Sequence, residues 1–209
     1  MGITRPFPVS EPAVLHLGRF VLPLHRPLVV GIVNVTPDSF FDGGRFFDER
    51  VACQHAQRLL DEGADILDVG GESSRPGATR IAAQEELRRV MPILDKFAAG
   101  PVPVSIDTCK TEVMAKVLAA GASMINDITA LRAPGALEAV AASQAAVCLM
   151  HMQGEPGNMQ KQPVYDDVVK EVLAFLGQRI DAAMAAGIPA SRIVARSEER
   201  RVGKECRSR

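Results

Sequence analysis

Two stretches of the chain share one pattern: "EGADILDVG" at residues 62–70 and "AGASMINDI" at residues 120–128. Each opens on Gly-Ala, continues as a short apolar run and closes on an acid or an amide. Gly63 and Gly121 stand where a preceding helical pattern should stop. The repeat therefore reads as helix end, buried strand, polar strand end. Working outward, the same rhythm gives candidate strands "LVVGIVNV" (28–35), "DILDVGG" (65–71), "VPVSIDT" (102–108), "SMINDI" (123–128), "AAVCLMH" (145–151) and "RIVA" (192–195). Segments between them carry apolar residues three and four apart, as helices do. In 166–187 that face is Val169, Val172, Leu173, Leu176, Ile180, Ala183 and Met184. Asp166 and Asp167 favour its start, and Gly187 and Pro189 its end. Pro92 inside the 84–98 pattern predicts a kink. Near-continuous apolar strands alternating with helices mean parallel β buried on both faces. Two α/β architectures satisfy this, a (β/α)8 TIM barrel and an open doubly wound sheet. The internal echo favours the barrel, here incomplete, with five to six of its eight βα units. In a barrel, chemistry sits at the C-terminal ends of the strands.

Composition narrows the classes. The chain has 209 residues, 47% hydrophobic and 23% charged, with a net charge of -1. That balance gives no pull toward nucleic acid or a membrane surface. The longest apolar runs fall far short of a bilayer span. The opening "MGITRPFPVSEP" has no hydrophobic region of the kind a secretory signal needs. Cys53, Cys109, Cys148 and Cys206 are widely separated, which suits reduced thiols in a cytoplasmic protein.

The strand ends carry the chemistry. The first ends in Asn34-Val35-Thr36-Pro37-Asp38-Ser39, the second in Asp68-Val69-Gly70-Gly71-Glu72-Ser73-Ser74-Arg75-Pro76-Gly77. The third ends in Asp107-Thr108-Cys109-Lys110, the fourth in Asn126-Asp127, the fifth in Met150-His151. One acid after a strand is ordinarily a helix N-cap, and Asp107-Thr108 ahead of "KTEVMAKVL" fits that use too. Five polar ends in succession converge on one barrel mouth, which capping alone explains poorly. Ser73, Ser74 and Arg75 among Gly70, Gly71 and Gly77 read either as an anion seat or as a solvated loop. Asn34 offers a hard oxygen for Mg²⁺ held mainly by substrate phosphates, or else bonds local backbone. Asp107 and Asn126 suit the edge of a planar nitrogen heterocycle. His151 has no second histidine at ligand spacing and reads as structural. Met150 reads as packing.

The motifs "GIVNVTPDSFFDGG", "DVGGESSRPG", "SIDT", "INDI" and "CLMHMQGEPGNMQ" resemble the dihydropteroate synthases of bacterial folate synthesis, over residues 28 to about 194. The resemblance implies a (β/α)8 barrel that joins 6-hydroxymethyl-7,8-dihydropterin diphosphate to 4-aminobenzoate, releasing pyrophosphate and 7,8-dihydropteroate. Sulfonamides would compete with the aminobenzoate. It implies Mg²⁺ as cofactor, with Asn34 as its ligand on the diphosphate. The loop Thr36 to Gly44 would close over the site, with Thr36, Asp38 and Ser39 binding substrate. Ser74 and Arg75 would bind pyrophosphate and border the aminobenzoate pocket. Asp107 and Asn126 would hold the pterin, with Met150 lining its pocket; Asp107, Asn126 and Arg75 would be the catalytic set. The family's reaction is SN1-like: the leaving anion departs first and the arylamine traps the pterin methylene cation. The family is commonly a homodimer, through helices near its C-terminus. Ser74 stands where many members have Thr, and Phe41 where many have Ser.

After "ASRIV" the family pattern runs into a motif of the form "DPGFGFGK"; here the chain reads "ARSEERRVGKECRSR". Residues 196–209 hold six basic and three acidic groups, whereas the first 195 hold 18 basic and 22 acidic. The chain thus divides into an N-terminal extension with a hairpin-like segment (1–27), a partial pterin-binding barrel (28–195) and a charged tail foreign to the family (196–209). Strand six is cut short and strands seven and eight find no counterpart; with them go the family's pterin-binding Asp after strand six, its Lys in a Ser-Arg-Lys motif and its Arg-x-His near the C-terminus. An inactive fragment with unpaired sheet edges is the alternative reading. A pterin-binding methyltransferase domain shares the barrel, but holds no diphosphate and has no use for "NVTPDSF" or "ESSRPG".

Overall fold

Each apolar run becomes a strand in the computed structural model, which describes residues 13–36, 45–73, 80–154 and 164–197. A short hairpin comes first, β1 (Val14–Leu17) and β2 (Phe20–Pro23). There follow β3 (Val30–Asn34), α1 (Arg45–Asp61), β4 (Ile66–Gly70), α2 (Ala83–Phe97), β5 (Val104–Asp107) and α3 (Thr111–Ala119). The described chain continues with β6 (Met124–Asp127), α4 (Ala136–Ala141), β7 (Ala146–His151), α5 (Val168–Ala185) and β8 (Ile193–Ser197). The boundary drawn after residue 195 falls inside β8.

Strands β3 to β8 form one parallel sheet, each paired with its neighbour in sequence. An open doubly wound sheet reverses its strand order at a switch point. This sheet never reverses, so the architecture is an incomplete (β/α)8 barrel rather than the rival.

Alternation along the strands decides what goes where. Val33, Leu67, Val69, Ile106, Ile125, Val147 and Leu149 point outward and form the main core with Ala52, Val90, Ile93, Leu94, Val113 and Val117 of the helices. Inward and low in the barrel, Ile66, Met124, Ala146 and Cys148 meet Leu15 of the hairpin and the fully buried Leu17. The hairpin is thereby a plug for the bottom. Its outgoing segment is fixed by Arg26, which donates two bonds to Asp65 at 2.8 and 2.5 Å. Asp65 also accepts from the Val29 amide, so the plug leads directly into β3. Those bonds, Arg26 first, hold the Asp65 carboxyl down at about 2.

The helix stops lie where the glycines put them: Gly63, Gly121 and Gly187 have φ of 96°, 98° and 96°. Asp167 caps α5, accepting from the Lys170 amide at 3.1 Å. Helix α2 continues through Pro92, whose ring nitrogen has no hydrogen to give to the turn before it. The face expected for α5 needs correction. Val172, Leu176 and Ala183 are buried, but Leu173 is 64% exposed and Met184 49% exposed. The apolar stripe is wider than the surface that β7 and β8 offer, so one of its flanks is covered and the other is open.

Candidate active site

In a parallel sheet, residues in register point to the same face. The pairs Asn34–Gly70, Gly70–Asp107, Asp107–Asn126 and Asn126–Cys148 are all in register, so one row crosses five strands on the barrel's inner face. Three of its members, Asn34, Asp107 and Asn126, are residues picked from the sequence. The fourth, Gly70, lies in the row between Asn34 and Asp107. A Cβ there would lie 3.4 Å from Asn34 Oδ1 and 3.9 Å from Asp107 Oδ2. A side-chain carbon there would make only ordinary contacts with these two residues.

Sequence reasoning assigned no role to Asp68, two residues before Gly70 and therefore on the same inner face. Asn126 Nδ2 donates to Asp68 Oδ2 at 2.9 Å. That bond turns the Asn126 amide so that its carbonyl oxygen is the end left for a ligand. Asp68 Oδ1 is buried with no hydrogen-bond partner among the described residues. Burial pushes the Asp68 carboxyl up, opposed first by the neighbouring Ser105 hydroxyl and then by the bond from Asn126. Asp107 keeps some contact with solvent at the mouth, but protein surrounds it on most sides. Its carboxyl is pushed up to about 7, first by burial and then by the neighbouring Asp68 charge, with Arg196 pulling the other way. An acid within an apolar strand was the available signal for Asp68, since such groups are rarely buried without a task.

The segment leaving β4 is held by charge. Lys110 Nζ donates to Glu72 Oε2 at 2.6 Å and also to the buried Glu86. Burial disfavours the Lys110 cation, but the two carboxylates outweigh it and its pKa rises. Glu72 accepts in addition from the Ile81 amide at 2.9 Å, closing the loop between β4 and α2 at its far end. Arg89 Nη1 donates to the Gly71 carbonyl at 3.0 Å. Gly71 itself does not open toward the mouth as expected. It is buried against α2, where a Cβ would lie 3.0 Å from Val90 and 3.1 Å from the Glu86 carbonyl. Its small size serves helix packing.

The polar pair Asn126-Asp127 divides. Asn126 points in, and Asp127 points out and accepts from the backbone amides of Thr129 and Leu131 at 2.7 Å each. That carboxylate, with Arg179 donating to the carbonyls of Ala130 and Leu131, holds two non-glycine residues at φ 55°. His151 is buried on the outer face, edge-on to Phe175 at 5.1 Å, the structural use read from the sequence. Met150 is buried on the inner face with Ile128 and Met152. Arg196, read from the sequence as part of a foreign tail, stands in register with Met150. Its Nη2 is 2.9 Å from Met150 Sδ.

Thr36 is buried at the end of β3. Asp38, Ser39, Ser74 and Arg75 lie outside the described residues, as does most of the expected Thr36–Gly44 lid. Cys53 and Cys148 are buried free thiols, with Cys148 pushed up to about 12 by burial. Among the described residues no three His, Cys, Asp or Glu groups gather as a metal site. None of their helices is long and apolar enough to cross a membrane. Between β3 and β8, the two edge strands of the sheet among the described residues, lies a cavity of about 590 Å³ lined by Ile32, Met124 and Val194, with Asp68, Asn126 and Arg196 on its wall.

Comparison with known proteins agrees with this fold. Dihydropteroate synthase of Neisseria meningitidis serogroup C is 49% identical over 183 residues, covering 86% of this chain and 65% of that protein. The structure of Xanthomonas albilineans dihydropteroate synthase with 4-aminobenzoic acid is similar at a TM-score of 0.81 and 52% identity, over 88% of this chain and 66% of that one. The Burkholderia cenocepacia enzyme complexed with 7,8-dihydropteroate gives 0.78 and 47%, over 88% and 62%. This chain therefore spans about two thirds of the length of the relatives it matches. The family described as pterin binding enzyme matches residues 30–195, from the first residue of β3 into β8, and the chain belongs to that family.

Proposed function

We propose that the chain carries the pterin half of a dihydropteroate synthase site. The whole reaction condenses 6-hydroxymethyl-7,8-dihydropterin diphosphate with 4-aminobenzoate to give 7,8-dihydropteroate and pyrophosphate. The observation that carries this reading is the inward row Asn34–Gly70–Asp107–Asn126 at the C-terminal strand ends. A pterin presents ring N–H donors and an acceptor along one edge. Asp107 and the free carbonyl of Asn126 match that edge. With its pKa near neutrality, Asp107 is able to meet the ring in either protonation state. As the C–O bond to diphosphate breaks, positive charge grows on the pterin methylene. When ionised, Asp107 at the ring edge and its neighbour Asp68 favour that charge. The arylamine nitrogen then bonds to the methylene carbon and loses a proton.

Asn34 fits a divalent cation of the Mg²⁺ type, because its amide oxygen is a hard donor at the end of β3 and such ions take most of their ligands from phosphate and water. When bound, the ion would neutralise the departing diphosphate. Ser74, Arg75 and the Thr36–Gly44 segment are proposed for the diphosphate side and for closure. The location is proposed as cytoplasmic, with small molecules as partners.

A second reading holds for the 209 residues alone. The cavity between β3 and β8 leaves the site without one wall, which favours pterin binding without turnover. A coupled assay with both substrates and Mg²⁺ separates the readings. Activity that appears only after a C-terminal third of the family type is joined after Val194 supports both. Turnover by the chain as it stands overturns the second. No pterin binding by either form overturns the first.

A further inference from the structure

Two inward rows of the sheet meet at Asn126. The upper row runs Gly70–Asp107–Asn126, and Asp68 pairs with Ser105 one step below it, deeper in the barrel. Asp68 and Asn126 are both buried, and Asn126 Nδ2 donates to Asp68 Oδ2 at 2.9 Å. Among the described residues this is the hydrogen bond that fixes the Asn126 side chain. A carboxyl oxygen accepts, whereas a primary amide has one donating and one accepting end. The bond therefore draws the amino end of Asn126 down toward Asp68. Its carbonyl oxygen is left toward the mouth, beside Asp107 in the same row. Asp68 Oδ1 is buried with no partner among the described residues, so this carboxyl serves Asn126 rather than a strand or helix end.

We infer that Asp68 is a positioning residue that sets ligand choice: it locks Asn126 with its accepting end toward the ligand, so that the site admits a heterocycle bearing an amino group there and rejects one bearing a carbonyl. The inference rests on the proposed pterin position at Asp107 and Asn126. An amide free to turn over serves either ligand, because half a turn exchanges its two ends with little change of shape. Held by Asp68, the amide sets carbonyl against carbonyl in a 2-oxo ligand and leaves two buried acceptors without a donor. A mismatch of that kind weakens binding about tenfold to a hundredfold.

The test titrates 6-hydroxymethylpterin and its 2-oxo analogue 6-hydroxymethyllumazine, each read by its own fluorescence, into the wild-type chain and three variants. These are Asp68→Ala, Asp68→Leu and a swap variant that joins Asp68→Asn to Asn126→Asp. The wild type is expected to prefer the pterin by at least about tenfold. Asp68→Ala and Asp68→Leu release the amide, and the preference should fall to about twofold or less. Asp68→Leu keeps the bulk of the side chain and serves if the alanine variant does not fold. The swap variant keeps the hydrogen bond with donor and acceptor exchanged, and the end it turns to the ligand accepts again. Its preference should return to about tenfold, which a merely structural role for Asp68 does not foresee. An undiminished preference in a folded single variant overturns the inference, as does a folded swap variant without the return. Hydrogen exchange of the Asn126 side-chain amide, followed by NMR, reads the lock without any ligand. Slow exchange in the wild type that becomes fast in the single variants supports it, and equal exchange overturns it. If neither heterocycle binds any form, the pterin reading falls, and the amide exchange alone decides the lock.

Discussion

The middle of the sheet and its two outer strands have similar sequences and different surroundings. Strands β4 and β7 are buried at every position. In β3 burial alternates: Gly31 and Val33 are covered by helix α1 and the sheet, while Val30 is 44% and Ile32 57% exposed. Yet "LVVGIV" is as apolar as "AAVCLM". A strand with one wet face ordinarily alternates apolar with polar residues. The inward half of β3 is therefore written for a covered interior that the described residues do not supply. The open flank of α5 at Leu173 and Met184 repeats the lesson on the other edge. Both fit a chain that spans about two thirds of its relatives' length.

If the middle is the finished part, the largest penalty should come from breaking it. Lys110 compensates Glu72 and Glu86, and Glu86 is 1% exposed with one oxygen that has no partner among the described residues. Lys110→Met leaves a buried acid uncompensated and is expected to cost ~3 kcal/mol in urea unfolding. The double variant with Glu86→Leu should recover most of that, because the stranded charge goes with its partner. A single-variant loss below ~0.5 kcal/mol would mean that the network is a surface ornament and the middle no more finished than the edges.

A smaller effect, of opposite sign, is expected at Asp107. Its carboxyl is pushed up to about 7 in the folded chain, against an ordinary value of 3.8. Between those values the folded chain keeps a proton that the unfolded chain has released, so stability falls as pH rises through that window. Asp107→Asn removes the penalty. It should stabilise the chain on the order of 2 kcal/mol at pH 8 and have no effect below about pH 4. Melts at the two pH values check this. The same variant should lose pterin affinity, the usual conflict between a tuned group and a stable one. A stabilisation equal at both pH values would assign the effect to packing.

How far the sequence could be read follows the same division. Strands were legible to within about two residues, because their signals are local: an apolar run and a glycine before it. Asn34, Asp107 and Asn126 were legible as strand ends, and the register then made them one row. Asp127 was legible only as a polar neighbour of Asn126, and which of the two faces inward depends on the strand's phase in the sheet. Lys110 and Glu86 are 24 residues apart, and no local pattern pairs them. Arg196 was hidden most deeply. A jump in charge density after residue 195 reads as a tail, whereas its pairing with Met150, 46 residues away, makes it part of the site.

The smallest effect is expected at the edge, and it sharpens the contrast most. Ile32 faces inward on β3 and is 57% exposed; Leu67, on β4, is fully buried among the outward core residues. Leu67→Ala should cost ~3 kcal/mol in any form of the protein, since it opens a cavity that its neighbours refill only in part. Ile32→Ser should change the stability of the 209-residue chain by less than ~0.5 kcal/mol, because it surrenders little buried surface. In a chain lengthened after Val194 by the family's remaining third, the same Ile32→Ser should cost ~2 kcal/mol, as closure takes its side chain out of water. Paired urea melts of the two variants and the parent, in both chain lengths, read this directly. An Ile32→Ser cost that is large in the short chain would mean that β3 is already covered there, by a second copy or by residues outside those described. A cost that stays small in the long chain would mean that the added third does not close the barrel over β3.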